Sequence, residues 1–480
     1  MRKRQPAGWA VFLAVAGLPG CSQPAEKGVE VIASTSTGAR LEAQAPIAWQ
    51  PVAERSTPVI TVDEGRRRQI IRGFGATFNE AGLISLNRLP PAAQEETLRR
   101  LFDVKEGAGF SMMSAPIAAC DFASAGPWYS YNDVPGDVGM KHFTIRRDLG
   151  LNGLITYIRR ARRHGRFELQ TTMDYPPDWM MDEKTRVLPR YYPALARYFV
   201  RYVQEYAREG VNVDYLSPFN EPWYVYAKIT WPEIAVFLRE HLIPAFRQAK
   251  LATRLQPSDT DKRRVALEVF PPIMRDPFLR QHLHSYPFHG YQWDRDGDAP
   301  LVKLREMEPE LELWQTEVCH MKRTTEGGKR VPVADFSDGD WWGRMIVADL
   351  RNGASVWMYW NMILDETGGP WLVDLKHENP DDNYQHPVVI IDRVRREAVY
   401  TGLYYYLAHF SRYVRPGAVR IETGGAPAPL HYVAFRNEDG RKVLVVVNSA
   451  DAAARFAIRA GGRDAGAELP ARSVATYLWR

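Results

Sequence analysis

Two glutamates each follow a stretch of strand-like residues, and as a pair they fit the chemistry of a retaining glycosidase. Glu221 stands in Asn220-Glu221-Pro222, directly after residues 211–219, and Glu317 stands near the end of residues 311–318. Retaining hydrolysis needs one protonated carboxyl group to drive out the leaving oxygen and one carboxylate to attack the anomeric carbon, about 5–5.5 Å away. Closely spaced like charges and partial burial raise one of the two pKa values. Either glutamate alone would fit a solvated loop equally well, so the interpretation depends on the pair.

The elements that must position this pair form a predicted α/β fold. Strand-like and helix-like stretches alternate over residues 67–410, which predicts a (β/α)8 TIM barrel. In such a barrel the catalytic side chains lie at the C-terminal ends of the strands. Glu221 and Glu317 follow strands four and seven, on opposite sides of the barrel mouth. The predicted strands are 69–78, 110–117, 167–173, 211–219, 265–270, a stretch ending at 289, 311–318 and 355–363.

Two helices of this barrel show a clear helical period. Apolar residues recur at i, i+3, i+4 and i+7 over residues 195–206 and again over residues 234–246. The second stretch opens with Thr230-Trp231-Pro232-Glu233, which fits a capping box with an early proline.

The C-terminal part changes to a β pattern. From about Arg415 the helical period disappears, and short strand-like stretches alternate with Gly, Asp and Pro turns. Residues 411–480 therefore predict a small all-β domain, a sandwich to which residues 51–66 contribute from the N-terminal side.

The N-terminal residues have the composition of an export signal. Residues 2–4 are basic, and the apolar run over residues 7–18 is too short to span a membrane. Leu18-Pro19-Gly20-Cys21 resembles the lipobox of bacterial lipoproteins, which implies cleavage before Cys21 and lipidation of its thiol. An ordinary signal peptide with an incidental cysteine is the alternative. The prediction is a signal peptide over 1–20, a flexible tether over 21–50, and an exported lipoprotein, periplasmic or at the cell surface, held to the membrane only by its lipid.

Composition and charge exclude several other classes. The formal net charge is only +5 and there is no long basic run, so nothing indicates nucleic-acid binding. No His or Cys cluster has the spacing of a metal site, and no cofactor is implied. Aromatic residues make up 12% of the chain, which suits sugar stacking and also ordinary core packing. Besides Cys21 there are Cys120 and Cys319, for which free thiols are favoured over a disulfide bond.

At these residues the chain resembles glycoside hydrolase family 30, whose best-known member is glucosylceramidase. The resemblance runs from about Gly73 to the C-terminus and consists of short segments in the family's order. These segments are 73–78 (GFGATF), 120–122 (CDF), 176–180 (PPDWM), 217–222 (SPFNEP), 289–291 (HGY), 316–317 (TE), 360–361 (WN), 368–370 (GGP) and 409–417 (HFSRYVRPG).

The resemblance implies a role for each residue of the catalytic centre. Glu221 would be the general acid/base and Glu317 the nucleophile that forms the glycosyl-enzyme. Asn220 would hydrogen-bond the sugar 2-hydroxyl, and Tyr291 would orient Glu317.

The resemblance also implies three sugar-binding residues, each with a structural alternative. Trp360 would be the platform under the reacting sugar, or a core residue. Asp121 would bind a distal hydroxyl, or cap a turn. His289 would line the same wall, or serve as a hydrogen-bonded structural imidazole.

The chain departs from the family pattern at several positions. Ser114 stands where the family usually has an arginine that lowers the pKa of the nucleophile. Arg72 and Lys322 are candidates for a substitute cation. Asp174 replaces a sugar-stacking tryptophan and is expected to bind hydroxyls or a cationic group of the substrate, and Glu80 replaces an aspartate.

The function that the sequence favours is hydrolysis of β-glucosides with retention, on carbohydrate substrates of the glucosylceramidase or β-1,6-glucan type. Two alternatives stay open. One is a xylanase or another β-glycosidase of the same family, and the other is a carbohydrate-binding barrel with impaired catalysis.

Overall fold

The computed structural model describes residues 28–54, 56–123, 129–222, 227–319, 323–326, 329–332, 335–370, 385–426 and 428–480. The strands are β1 (Val29–Ser34), β2 (Glu42–Ile47), β3 (Gln50–Pro51), β4 (Val59–Ile70), β5 (Gly73–Ala76), β6 (Met112–Pro116), β7 (Glu168–Thr172), β8 (Tyr215–Ser217), β9 (Arg254–Leu255), β10 (Tyr286–His289), β11 (Leu313–Glu317), β12 (Arg323–Glu326), β13 (Lys329–Pro332), β14 (Ala354–Tyr359), β15 (Ile363–Asp365), β16 (Val389–Asp392), β17 (Glu397–Tyr400), β18 (Val419–Gly424), β19 (Leu430–Arg436), β20 (Lys442–Asn448), β21 (Ala454–Ala460), β22 (Arg463–Leu469) and β23 (Ser473–Trp479).

The α-helices of the described residues lie mainly between the barrel strands. They are α1 (Glu80–Leu86), α2 (Pro91–Phe102), α3 (Leu154–Arg162), α4 (Tyr192–Arg208), α5 (Trp231–Phe237), α6 (Ile243–Gln248), α7 (Arg263–Met274), α8 (Pro277–His282), α9 (Trp293–Asp296), α10 (Ala299–Met307), α11 (Gly339–Arg351) and α12 (Gly402–Ser411). A π-helical turn over Leu238–Leu242 joins α5 to α6.

Eight parallel strands form the barrel, as predicted. Strands β6-β7-β8-β9 form one half and β10-β11-β14-β5 the other. Parallel bridges from Thr77 to Ser114 and from Thr260 to Phe288 join the two halves. The closed barrel brings the carboxyl ends of all eight strands to one face.

The two predicted amphipathic helices are confirmed. Helix α4 buries the apolar positions of residues 195–206, and α5 to α6 cover the second stretch. At the start of α5, the Thr230 hydroxyl and backbone N–H both donate to the Glu233 carboxylate, at 2.7 and 2.9 Å.

The predicted fifth strand, residues 265–270, is wrong. These residues lie in helix α7, which buries Ala266, Phe270, Ile273 and Met274, a helical spacing. The fifth strand is the two-residue β9. A short apolar run does not distinguish a buried strand from a helix, and β9 is too short to carry a period of its own.

Gly75 shows why the opening GFGATF segment needs a glycine. A Cβ at this position would lie 2.0 Å from the carbonyl oxygen of Met112. Strand β5 therefore approaches β6 closely enough to exclude any side chain here.

A second β structure forms one ten-stranded sheet in the order β2-β1-β23-β20-β19-β18-β4-β21-β22-β3. It has a hydrophobic core of its own, which includes Ile60, Leu444, Phe456 and Tyr477. With the barrel, this sandwich gives the α/β-plus-β architecture that the sequence predicts.

The predicted tether over residues 21–50 is wrong where the structure describes it. Strand β1 pairs antiparallel with both β2 and β23, and Val29 is fully buried. Backbone hydrogen bonds to β23 hold β1 in the sheet, although the composition of this N-terminal segment is typical of a linker. The predicted signal over 1–20 and Cys21 lie outside the described residues. No helix of the described residues has the length and apolarity of a membrane span.

Candidate active site

Glu221 and Glu317 come to the carboxyl face of the barrel from opposite halves. Glu317 is the last residue of β11, and Glu221 follows β8 in a loop where its φ angle is +42°. The Glu221 N–H donates to the Asp259 carbonyl oxygen at 3.1 Å, and the Asn220 N–H donates to that of Met173 at 2.9 Å. Backbone hydrogen bonds to neighbouring strand ends thus hold a conformation that residues other than glycine rarely adopt.

An imidazole joins the two carboxyl groups. Glu221, His289 and Glu317 each place a side-chain oxygen or nitrogen within 4.8 Å of the other two. His289 Nδ1 lies 2.6 Å from Glu221 Oε1 and 3.6 Å from Glu317 Oε1. The Tyr291 hydroxyl donates to Glu317 Oε1 at 2.9 Å. The predicted residues Glu221, His289, Tyr291 and Glu317 therefore meet in one cluster.

Burial dominates the electrostatics of Glu317. It raises the pKa of this carboxyl group to about 8; the imidazolium of His289 and the Tyr291 hydroxyl lower the pKa, while Glu221 and Asp121 raise it further. The raised pKa of Glu317 favours retention of a proton at this site, and general acid catalysis needs a proton near the two carboxyl groups.

The pKa of His289 is raised by its neighbours against the effect of its own burial. Burial lowers its pKa, but Glu317, Asp259 and Glu221 outweigh that effect and raise the pKa well above the ordinary histidine value. The three carboxyl groups thus favour the protonated, cationic form of His289.

Within the described residues, the same three side chains lie close enough together to ligate a metal ion. A divalent cation there would have to replace the 2.6 Å hydrogen bond between His289 and Glu221. In the structure, His289 Nδ1 and Glu221 Oε1 are hydrogen-bonded to each other.

Asp174 holds the neighbouring Asn220. Asn220 Nδ2 donates to Asp174 Oδ1 at 2.7 Å, and the buried Asn220 Oδ1 has no hydrogen-bond partner within the described part of the chain. Burial raises the pKa of Asp174 well above its usual value, and Asp121 and Glu317 add to this effect. Asp174 thus orients an amide whose oxygen can accept a hydroxyl.

Trp360 and Asp121 are the remaining predicted sugar-binding residues. Trp360 packs with Cys120, Phe122 and the half-buried Cys319, and its ring meets that of Phe122 edge to face at 6.1 Å. Cys120 and Cys319 are free thiols. The charge of Asp121 raises the pKa values of both Asp174 and Glu317, so it acts on the same cluster.

Of the two candidates for a substitute cation, Arg72 lies in the described residues, and it does not enter the cluster. Arg72 makes two 2.9 Å hydrogen bonds to Glu312, and these residues immediately precede β5 and β11, at the opposite end of the barrel. Lys322 lies outside the described residues. Ser114 donates to Gln170 Oε1 at 2.8 Å. Glu80 pairs with Arg147 at 3.2 Å.

Sequence reasoning missed Gln170 and Asp259, and it gave no role to Thr316, which stands in the segment 316–317. Thr316 Oγ1 donates to Asp259 Oδ1 at 2.6 Å, and Gln170 Nε2 lies 3.3 Å from both Asp259 oxygens. Asp259 follows the short strand β9, which the sequence pattern did not reveal.

A cavity of about 470 Å³ adjoins Tyr291 and Cys319. Its lining includes Trp293 and Trp341, whose rings meet edge to face at 5.1 Å. Half-buried indole rings are suitable stacking surfaces for a sugar.

Residues 71–414 match the model of the Glycosyl hydrolase family 30 TIM-barrel domain, and residues 417–477 match that of the Glycosyl hydrolase family 30 beta sandwich domain. The chain is 27% identical to putative glucosylceramidase 4 of Caenorhabditis elegans, over 79% of this chain and 75% of the relative. It is 27% identical to an endo-1,6-beta-D-glucanase of Neurospora crassa, over 82% of each chain. The crystal structure of SrfJ from Salmonella typhimurium superposes with a TM-score of 0.84 at 23% identity, covering 94% of this chain and 99% of SrfJ.

Proposed function

The chain belongs to glycosyl hydrolase family 30, and from this premise we propose that it is a glycosidase that cleaves β-glucosides with retention, using Glu221 and Glu317. One observation carries the proposal: an oxygen of each carboxyl group lies within 4.8 Å of the other. Retaining enzymes hold their carboxyl groups about 5–5.5 Å apart, whereas inverting enzymes need roughly 6.5–9.5 Å to admit a water molecule.

The proposed reaction is a double displacement. Glu221 gives its proton to the glycosidic oxygen while Glu317 attacks the anomeric carbon, so the bond to the leaving group breaks as the glycosyl-enzyme ester forms. Glu221 then takes a proton from water, and the resulting hydroxide equivalent attacks the anomeric carbon and releases Glu317. The raised pKa of Glu317 supports a shared proton in the free enzyme. Before attack this proton has to reside on Glu221.

Two considerations support β-glucosides as the substrate class. The relatives in Caenorhabditis elegans and Neurospora crassa carry the names of a glucosylceramidase and an endo-1,6-beta-D-glucanase. The Trp-lined cavity beside Tyr291 offers space for a further sugar unit. Asn220 Oδ1 would accept the 2-hydroxyl of the reacting glucose.

The test is turnover of aryl β-glucoside, xyloside, galactoside and fucoside, followed by β-1,6-glucan and glucosylceramide. We expect activity on the glucosides, its loss in Glu317→Ala, and a fall of about 10²–10⁴-fold in Glu221→Ala. Azide should rescue Glu317→Ala with an inverted product, and a 2-fluoroglucoside should label Glu317. Glu306→Ala, an exposed change on α10, serves as the control.

Other outcomes would redirect or overturn the proposal. Activity confined to xylosides or xylan would make the protein a xylanase. Sugar binding without turnover of any small or polymeric substrate would leave a binding barrel with impaired catalysis. Activity that EDTA abolishes and a divalent cation restores would contradict a mechanism based on two carboxyl groups.

We also propose that the chain is exported and anchored through a lipid on Cys21. The apolar run and the Leu18-Pro19-Gly20-Cys21 segment support this. Labelling with radioactive palmitate in a bacterial host should mark the wild type but not Cys21→Ser. Equal labelling of both chains, or of neither, would exclude a lipid on this thiol.

A further inference from the structure

A buried group of acidic side chains surrounds His289. Glu221 and Glu317 face its Nδ1, at 2.6 and 3.6 Å, and Asp259 Oδ1 faces its Nε2 at 3.6 Å. His289 and Asp259 are each 1% exposed. Among the described residues, His289 is the basic side chain that forms ion pairs with these three carboxyl groups. Buried carboxylates without a cation would carry a large desolvation cost.

The hydrogen bonds to Asp259 show that it acts as an acceptor. Gln170 Nε2 lies 3.3 Å from each of its oxygens, and an amide nitrogen can only donate. The Thr316 hydroxyl donates to Oδ1 at 2.6 Å. A carboxylate that accepts from two side chains is fixed in orientation.

Ser114 orients the amide of Gln170. The two residues are direct partners on β6 and β7, both are buried, and the Ser114 hydroxyl donates to Gln170 Oε1 at 2.8 Å. Because the amide oxygen is used in this way, the amide nitrogen points to Asp259. Ser114, Gln170 and Asp259 thus form a directed series of hydrogen bonds that ends beside His289.

We propose that Asp259 and Gln170 are positioning residues, which keep His289 as the counter-cation between Glu221 and Glu317. The inference deepens the proposed function and rests on it for its catalytic consequence. The imidazolium favours the ionised form of Glu317 and so makes this carboxylate available for attack.

The charged and titratable groups that face His289 are Glu221, Glu317, Asp259 and Tyr291, whose ring lies 5.9 Å from the imidazole. The three carboxyl groups raise the pKa of His289 against the effect of burial. Removal of the Asp259 charge therefore lowers the pKa of His289. Once His289 is neutral, the pKa of Glu317 rises.

The test is a pH titration of His289 by NMR of imidazole nitrogens in the full chain, with the signal assigned by its loss in His289→Gln. In the wild type, His289 should stay doubly protonated through neutral pH. Asp259→Asn should lower its titration midpoint by about 1–3 pH units, the usual effect of one close opposite charge. Gln170→Leu should lower the midpoint by less, because it only disorders the carboxylate.

Activity gives the second measurement. The acid limb of the pH profile of kcat/KM should move to higher pH in both variants, and below the limb each pH unit of this movement corresponds to a tenfold loss of kcat/KM. The control is Gln256→Leu, since Gln256 is also a buried glutamine and donates to Ser285 at 2.8 Å.

The outcomes separate this proposal from the proposed function. An unchanged His289 midpoint in both Asp259→Asn and Gln170→Leu would overturn it, as would an equal change of the midpoint in Gln256→Leu. If Asp259→Asn does not fold, the titration midpoint of His289 in Gln170→Leu decides alone, and an unchanged midpoint there would overturn the proposal. A lowered midpoint in a protein that hydrolyses no glycoside would support the charge arrangement and contradict the proposed function.

Discussion

At the scale of single residues, the hydroxyl of Tyr291 controls how easily Glu317 ionises. It donates to Glu317 Oε1 at 2.9 Å, and a hydrogen bond to a carboxylate contributes about 1.5–3 kcal/mol. In Tyr291→Phe we expect kcat/KM to fall roughly 10–100-fold. The acid limb of its pH profile should move upward, because the lost bond favoured the carboxylate.

Tyr286 provides the matched control for this prediction. It lies on β10, the strand that leads into the loop with Tyr291, and its buried hydroxyl has no hydrogen-bond partner among the residues described. Tyr286→Phe should leave the pH profile unchanged. An unmoved acid limb in Tyr291→Phe would show that the tyrosine does not act on Glu317.

Asp174 gives a prediction about stability. Burial raises its pKa well above the value in an unfolded chain, so the folded state is stabilised below the unfolded pKa and loses that stability as pH rises through the folded pKa. Asp174→Asn keeps an acceptor for Asn220 and removes the titration. The variant should melt at a higher temperature than the wild type at pH 7 and show no such gain below about pH 4. A melting-temperature difference of the same size at both pH values would contradict this explanation.

Sequence patterns indicate which residues stand at the ends of strands, but they do not indicate which buried polar side chains contact those residues in the fold. Glu221, Glu317, His289 and Tyr291 could be identified because short ordered segments contain them. Asp259 and Gln170 could not, because a buried polar residue matters only through the particular atoms around it. Arg72 was a reasonable candidate by charge, yet its position before β5 directs it to Glu312 at the other end of the barrel.

At the scale of elements, the loop after β10 is held by a buried ion pair between two helices. Arg263 of α7 and Asp349 of α11 are both fully buried and joined at 2.7 Å. Arg263 Nη1 also donates to the Gly290 carbonyl oxygen at 2.6 Å. Gly290 stands between His289 and Tyr291, so this pair fixes the segment that contacts both glutamates.

Separate and joint removal of this pair should distinguish stability from positioning. Arg263→Met should cost about 3–5 kcal/mol of unfolding free energy, because Asp349 is left as an uncompensated buried charge. The double variant Arg263→Met with Asp349→Leu should recover most of the lost unfolding free energy. It should not recover activity, because the Gly290 carbonyl oxygen no longer accepts a hydrogen bond from Arg263. Thermal unfolding and kcat of the three proteins measure the two effects. Full activity in the double variant would show that the pair serves stability alone.

Helices and strands could be predicted where they are long enough to repeat their apolar pattern several times, and not where they are short. Helix α4 has 17 residues and one clear apolar face, whereas β9 has two residues. The apolar residues of α7 gave the wrong strand because six residues contain fewer than two helical turns. The count of eight strands was still correct, since the alternation of strands and helices constrains it.

At the scale of the whole molecule, the N-terminal strands are held by contacts far away in sequence. Strand β2 is mostly exposed, so its sequence has no apolar alternation that would predict a strand. Strand β1 is fixed by pairing with β23, at the other end of the chain. Pairing across the full length of a chain cannot be inferred from local composition, which is why residues 29–51 resemble a linker.

His409 connects the barrel with both ends of the chain, and its protonation should weaken the whole assembly. It lies in α12, where Nδ1 is 2.8 Å from the Thr476 hydroxyl of β23 and Nε2 is 2.9 Å from the Ser34 hydroxyl of β1. Burial, with a smaller contribution from Arg412, lowers its pKa to about 3. Because the unfolded chain has the ordinary pKa of about 6.5, this histidine stabilises the fold above pH 6.5. That stability is lost as pH falls toward 3.

The prediction concerns how the free energy of unfolding falls as the pH is lowered below 6.5. At pH 4.5 the wild type should have lost about 2–3 kcal/mol of unfolding free energy through His409 alone. His409→Gln should be less stable than the wild type at pH 7, and the difference should narrow steadily below pH 6.5. His142→Gln, an exposed change, should follow the wild type throughout. Chemical unfolding at several pH values measures these free energies. If the difference in stability between the wild type and His409→Gln did not depend on pH, protonation of His409 would not be what weakens the contact between barrel and sandwich at acid pH.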